Sequence, residues 1–189
     1  MKRKLSTTSR PSPLAPRLAA AVFRTPLGWV GIAASANGVR AIVLAKPSRR
    51  AVERALQSGT FPDGHPVSGT RAMLRDAQRQ VLAYLAGKQH RLDFPIDLSG
   101  STSFQRRVWQ TALRIPYGRA RSYQWIASKV GGTRHSRAVG NALGANPVPL
   151  IVPCHRVVAH DASLGGFSCG LTVKRKLLDL EGTLKQLKM

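Results

Sequence analysis

Acidic residues are scarce in this chain. Its 189 residues carry 8 Asp and Glu against 30 Lys and Arg, a formal net charge of +22. Such an excess destabilises a compact state by self-repulsion, which makes a polyanion, nucleic acid above all, the natural partner. Only two of the acids are glutamates, Glu53 and Glu181, so either stands out as placed for a purpose. Cysteine is as thin: Cys154 and Cys169 are too few for a secreted disulfide framework, and a reduced, intracellular compartment fits them better. There is no C-x-x-C, and the five histidines are scattered without ligand spacing, which excludes a zinc site; no metal and no cofactor are expected. No stretch approaches the ~20 apolar residues of a membrane span. The first segment, "MKRKLSTTSRPSPLAPR", is basic but lacks the apolar core of a secretory signal, and its prolines oppose an amphipathic transit helix. Residues 1–17 are expected to be a disordered basic arm that adds nonspecific phosphate contacts.

What is present divides in two. Residues 18–98 read as a small α/β unit. "LAAAVFRTPLGWVGIAASANGVRAIVLA" holds three apolar runs, broken at Pro26-Leu27-Gly28 and at Asn37-Gly38, the latter a two-residue hairpin signal. A helix is expected over about Ser68–Ala86, stopped by Gly87, and "RLDFPIDLSG" as one more extended segment. Phe23 and Trp29 are expected in the core, and nothing in this unit has the composition of a reaction centre. Residues 99–189 read as mostly helical, entered through the linker and N-cap Ser99–Ser103. "SFQRRVWQTALRI" places Phe104, Val108, Trp109 and Leu113 on one helical stripe. "SYQWIASKVGG", the turn "TRH" and "SRAVGNALGANP" then form a helix-turn-helix candidate in a basic chain. Around Arg137 the second helix carries several small residues, Ser136, Ala138, Gly140, Ala142 and Gly144, which let a helix approach a surface closely while one cation reaches beyond it, though packing within the helices explains some of them equally well.

The chemistry lies in "VPCHRVV", Val152–Val158. A thiolate is the reactive form of cysteine, and a free thiol with a pKa of about 8.5 is mostly protonated at neutral pH. A histidine accepts that proton and an acid orients the histidine. Neighbouring side chains on a strand point to opposite faces, so Cys154 and His155 pair only if the backbone turns sharply or a water bridges them. Pro153 is placed to set such a turn, Glu181 is an available acid, and Asn146 can hold neighbouring backbone with its amide. A buried structural cysteine satisfies the same residues. Arg156 is open between an ion-pair partner and a DNA contact.

"RAVGNALGANPVPLIVPCHRVV" followed by "LGGFSCGLTVKRKLLDLEG" closely resembles the O6-alkylguanine-DNA alkyltransferases, the methylated-DNA–protein-cysteine methyltransferases. "FQRRVWQTALRIPYGRARSYQWIA" is similar to the segment upstream of that motif, and the match runs from about Ser101 to Gly182. The resemblance implies an N-terminal ribonuclease-H-like α/β domain of supporting role, weakly signalled by "TPLGWVGIAAS", and a helical C-terminal domain with the helix-turn-helix. It implies repair by direct reversal: a flipped O6-alkylguanine (less well O4-alkylthymine) in duplex DNA gives its alkyl group irreversibly to Cys154, once per molecule. His155 is then the base acting through water, Glu181 its orienting acid, and Asn146 the organiser of the active-site turn. Tyr123 assists nucleotide rotation and donates to the leaving guanine. Arg137 enters the base stack, with Ser136, Ala138 and Gly140 against the minor groove, which suits scanning because that groove distinguishes bases poorly. The backbones of Cys154, Val157 and Ser168 hold the base, Pro149 and Phe167 wall it, and Lys174 lies near the site. The implied protein is a monomer, cooperative on DNA in some members, cytoplasmic in bacteria and nuclear in eukaryotes.

Two positions depart from the family. Phe167 stands where many members have Tyr, and Cys169 where they have Gly; a Cys169 side chain at the pocket edge would narrow access for bulky adducts, whereas one facing outward would have no effect. Three other functions fit parts of the pattern. A lesion-binding relative without an acceptor is opposed by the intact "PCHR", and a helix-turn-helix regulator by the lack of an additional DNA-binding or zinc-ligand domain. A cysteine hydrolase would need an oxyanion hole and would turn over.

Overall fold

The structure, a computed structural model, describes residues 19–58 and 69–187. The expected basic arm, residues 1–17, lies outside the described residues. Three antiparallel strands in the order β1-β2-β3 open the chain: β1 (Ala19–Thr25), β2 (Gly28–Ser35) and β3 (Gly38–Lys46). Thr25 pairs with Gly28 and Ser35 with Gly38, so both connections are two-residue turns. The second turn is therefore Ala36-Asn37 rather than Asn37-Gly38. Gly38 is required for another reason. Its φ is +148°, and a Cβ there would sit 2.7 Å from the backbone of Pro95. That close approach lets Val39 donate to the Pro95 carbonyl and accept from Asp97 N–H, at 2.8 and 2.9 Å. The extended segment expected at "RLDFPIDLSG" is thus reduced to a single parallel bridge, Val39 to Ile96.

Helix α1 (Arg49–Ser58) was not anticipated by apolar periodicity, because only Val52 and Leu56 of it face the sheet. Its start is nonetheless local: the Ser48 hydroxyl accepts from Ala51 N–H at 3.2 Å. It covers one face of the sheet, against Ala33 and Ala41. Helix α2 (Thr70–Leu85) covers the other with Leu74, Ala77 and Val81. β2 is buried on both faces, which is why it is an almost unbroken apolar run rather than an alternating one. Phe23 is in the core as expected, while Trp29 is half-buried with the Arg49 guanidinium 5.5 Å from its ring centre.

The second half begins at a capping box. The Thr102 hydroxyl accepts from Gln105 N–H while the Gln105 side chain accepts from Thr102 N–H, and this starts α3 (Ser103–Ala112). Val108 and Trp109 are buried, but Leu113, just past the helix, is 43 % exposed: the stripe ends one turn earlier than its spacing suggests. Trp109 Nε1 donates to the Ala142 carbonyl at 2.8 Å and ties α3 to α5 (Ser136–Gly144). Between them α4 (Tyr123–Val130) is capped by Ser122 and ends at Gly131, and a single 3-10 turn, Thr133–His135, completes the helix-turn-helix. Two short parallel strands, β4 (Arg121–Ser122) and β5 (Val157–Val158), clip the start of α4 to the segment after Cys154. Helix α6 (Leu171–Leu180) closes the domain.

The hydrophobic core is continuous across the two halves, from Val30 and Ile32 through Val81 and Trp109 to Val152 and Leu177. A backbone hydrogen bond from Ile42 N–H to the Pro147 carbonyl at 2.8 Å joins β3 to the segment before Cys154. Among the described residues no helix is long and apolar enough to cross a membrane. Sheet and helix approach closely at Gly31, where a Cβ would lie 2.3 Å from Cγ1 of Val52. Val52 is too stiff to yield, so Gly31→Ala is expected to lose about 1–3 kcal/mol of stability through overpacking. A lower midpoint of urea unfolding at an unchanged slope would show it.

Candidate active site

Cys154 begins a 3-10 turn, Cys154–Arg156, immediately after the Val148–Val152 loop. The loop is tight: Val152 N–H bonds back to the Val148 carbonyl at 3.1 Å, and Leu150, although buried, has φ +78°. A non-glycine residue in that region is strained and persists only where its surroundings hold it. Asn146 does much of the holding. Its Oδ1 accepts from Val148 N–H at 3.0 Å, and its Nδ2 donates to the Val152 carbonyl at 2.9 Å and to Cys154 Sγ at 3.1 Å. The amide that shapes the turn therefore also touches the sulfur.

The turn sends His155 inward to complete burial. Its Nε2 lies 2.7 Å from Oε1 of Glu181, at the C-terminal end of α6. Arg156 follows it inward: Nε bonds Glu181 Oε2 at 2.9 Å, Nη2 bonds Oε1 at 3.1 Å, and Nη1 bonds the Ile115 carbonyl at 2.7 Å. The question left open for Arg156 closes here, because a buried, bidentate guanidinium is an ion-pair partner and not a DNA contact. Tyr84, from α2, donates its hydroxyl to the same Oε1.

Protonation follows from this arrangement. Burial alone would raise the pKa of Glu181, but the hydrogen bonds from His155 and Arg156 bring it down to about 2. Burial lowers the pKa of His155 and outweighs the pull of Glu181, so the ring is neutral and Arg156 is the cation that keeps the carboxylate ionised. With an ionised oxygen 2.7 Å away, the imidazole proton belongs on Nε2. Nδ1 is then a bare acceptor, and it is buried with no partner among the described residues. Burial pushes the Cys154 thiol up to about 11, against smaller opposing effects of Asn146 and Lys174. The resting sulfur is a protonated thiol next to a neutral base with its lone pair free.

Cys154 lines a cleft of about 590 Å³ open to solvent. Tyr123 of α4, Ser136, Arg137 and Gly140 of α5, and Phe167 and Ser168 of the following loop share that lining. Arg137 is exposed at the surface of the helix. Tyr123 packs over the small face of α5, 3.9 Å from where a Cβ on Gly140 would be. Its hydroxyl donates to the Gly166 carbonyl at 3.0 Å, and burial, then Cys154, raises its pKa, so it carries a proton.

Several expected pocket residues are not in that lining. Pro149 is buried in the loop before Cys154, where it bridges Val152. Val157 is buried in β5 with its N–H on the Cys154 carbonyl and its own carbonyl taken by Lys174. Lys174 is wholly buried and binds the carbonyls of Val157, Leu164 and Gly166; burial brings its pKa down to about 8. It works from beneath, as the pin of the loop that carries Phe167 and Ser168. Ala138 lies on α5 outside the cleft, and Cys169 packs half-buried against the core instead of forming the pocket edge.

Other residues went unread. Tyr84 has no local signal, since its partner is 97 residues away. Gly165 had one, the "GG" of the motif: its φ is +63°, and a Cβ would stand 2.9 Å from the Tyr123 ring. Gln124 and His160 also line the cleft.

The fold and site define a helix-turn-helix protein whose second helix lines a cleft together with a thiol, and that thiol is followed in the chain by a buried histidine–glutamate pair. Residues 103–183 match the family model of the 6-O-methylguanine DNA methyltransferase DNA-binding domain. A methylated-DNA–protein-cysteine methyltransferase of Methanosarcina acetivorans is 36 % identical over 163 residues, 86 % of this chain and 97 % of that protein. The crystal structure of the Mycobacterium tuberculosis O6-methylguanine methyltransferase superposes with a TM-score of 0.72 at 34 % identity, over 88 % of this chain and 93 % of that one. The same mycobacterial protein in complex with DNA gives 0.71 at 34 % identity, over 87 % and 92 %. The chain belongs to the methylated-DNA–protein-cysteine methyltransferase family, with that family's two-domain fold.

Glu181 sets a stability test. Glu181→Gln leaves the buried Arg156 guanidinium without a countercharge, a loss of about 3–5 kcal/mol. The native carboxyl titrates at about 2 against an ordinary 4.5. A depressed folded pKa contributes stability that is complete above about pH 4.5 and is lost as pH falls through about 2. Urea unfolding across pH should show the gap between wild type and Glu181→Gln widest above about pH 4.5 and closing toward about pH 2.

Proposed function

We propose that this protein repairs alkylated DNA by direct reversal, taking the alkyl group of O6-alkylguanine onto Sγ of Cys154 in a single irreversible turnover. The observation that carries the reading is the unpartnered, buried Nδ1 of His155 in the residue next to a cleft-lining thiol. A thiol held near pKa 11 is a poor nucleophile and needs a base at the moment of reaction. A water between the two side chains passes the thiol proton to Nδ1, while Glu181 steadies the imidazolium that forms. Sulfur bonds to the alkyl carbon, the carbon–O6 bond breaks, and the Tyr123 hydroxyl supplies a proton to the departing guanine. The product is a thioether, which nothing in the site can cleave.

DNA is the partner, as the charge requires, and the lesion is reached by extrusion into the cleft. Extruding a base costs a few kcal/mol. Arg137, exposed at the cleft mouth, fills the space the guanine leaves. The small residues Ser136, Ala138 and Gly140 let α5 sit in the minor groove. Phe167 and Ser168 form the lesion pocket, with Pro149, Val157 and Lys174 supporting it from behind. We assign residues 18–98 to the supporting domain and 99–189 to the DNA-binding and acceptor domain. A ribonuclease-H-like ancestry for the first is compatible with its sheet between two helices.

Duplex DNA carrying O6-[3H]methylguanine tests this. Wild-type protein should take up one label per molecule and Cys154→Ala none; tight binding by wild type without transfer would mean a lesion sensor instead. Arg137→Ala should slow transfer from duplex DNA tenfold or so, because it removes about 1.4 kcal/mol or more of extrusion energy. Its reaction with the free base should be unchanged, and an equal loss on both substrates would refute the wedge.

A further inference from the structure

Tyr84 belongs to the N-terminal domain, yet its hydroxyl sits in the reactive centre. It is 1 % exposed, donates to Oε1 of Glu181, accepts from Arg156 Nη2 at 3.4 Å, and lies 3.5 Å from Nε2 of His155. Oε1 is the same oxygen that takes the imidazole proton donor at 2.7 Å. We infer that Tyr84 is a positioning residue for alkyl transfer: by donating to Oε1 it shares that oxygen's negative charge and so sets how strongly His155 holds a second proton.

The reasoning is electrostatic. Oε1 has three donors, His155 Nε2, the Tyr84 hydroxyl and Arg156 Nη2. Each added donor makes the oxygen a weaker acceptor for the others, and a weaker acceptor stabilises the imidazolium less. A general base is useful only while neutral, so a centre working near pH 7 gains from any group that keeps its histidine from charging early. A phenol suits this duty, because burial and Glu181 hold it protonated and it stays a donor. The charged and titratable groups acting on His155 are Glu181 at the end of α6, Lys174 within it, Arg156 from its own turn and Tyr84 from α2. Tyr84 is the member supplied by the first domain, and its ring is seated edge-on to Tyr117 with centres 5.9 Å apart. Tyr84→Phe keeps that seat and removes only the hydroxyl.

The inference rests on the repair reading, and the experiment separates the two. Single-turnover alkyl transfer from labelled duplex DNA is followed from pH 5 to 9, with DNA affinity measured alongside. For Tyr84→Phe the acid limb of the rate profile should move to higher pH by roughly 0.5 to 1 unit, the size expected for one lost hydrogen bond to a charged partner. The alkaline plateau and the affinity for undamaged duplex should stay within about twofold, a change of under 0.5 kcal/mol. 3-Fluorotyrosine at position 84, a stronger donor of the same shape, should move the limb the opposite way, and it decides the matter alone if Tyr84→Phe does not fold. Wild type that takes up no label overturns both readings. Wild type that does, with variant limbs superimposed on its own or both moved in one direction, overturns the role of Tyr84 alone.

Discussion

One buried carboxylate organises this molecule. Glu181 has no exposed side-chain surface, and an isolated charge in that position would be costly enough to forbid it. It is tolerated because His155, Arg156, Tyr84 and the Gly118 N–H converge on its two oxygens from three other parts of the chain. Satisfying the charge therefore fixes the relative positions of α2, the segment after α3, the Cys154 turn and α6. The same contacts place the imidazole proton on Nε2. Packing and acid–base chemistry are here one constraint.

The thiol is the counterpart of that arrangement. Burial makes Cys154 a weak acid, so the resting protein presents little thiolate to stray electrophiles. Next to it in the chain stands a neutral histidine whose Nδ1 has no partner among the described residues. Asn146 keeps the turn closed and gives the sulfur one hydrogen bond. Lys174 and Gly165 set the opposite wall, the first by binding three loop carbonyls and the second by leaving room for the Tyr123 ring. None of these side chains need touch a lesion to decide whether one fits.

Local signals announced themselves where the physics is local. The Thr102 and Gln105 capping box, the Ser122 cap and the glycine stop after Val130 bound their helices within a residue or two of the expected ends. The small residues around Arg137 marked the helix that borders the cleft. Helix α1 carries too faint a period to be legible, with two apolar contacts, and the role of Gly38 is not local because its close neighbour, Pro95, is distant in sequence. Leu113 kept the period of α3 after the helix itself had ended.

The sequence by itself pointed to a polyanionic partner, through charge, and to a helix-turn-helix candidate, through glycine stops and small residues. The reactive thiol with its histidine and acid stands out only through the resemblance to a known family, because a buried structural cysteine satisfies the same residue types. Only the tertiary structure decided which way Cys154 and His155 face, because a 3-10 turn and not a strand separates their side chains. It alone turned Arg156 inward, brought Tyr84 across the domain boundary, and moved Pro149, Val157 and Lys174 behind the pocket rather than into it. The reason is common to all of these. Each depends on where a buried charge finds its partners, and those partners are set by the packing of distant segments, which no local pattern in the chain encodes.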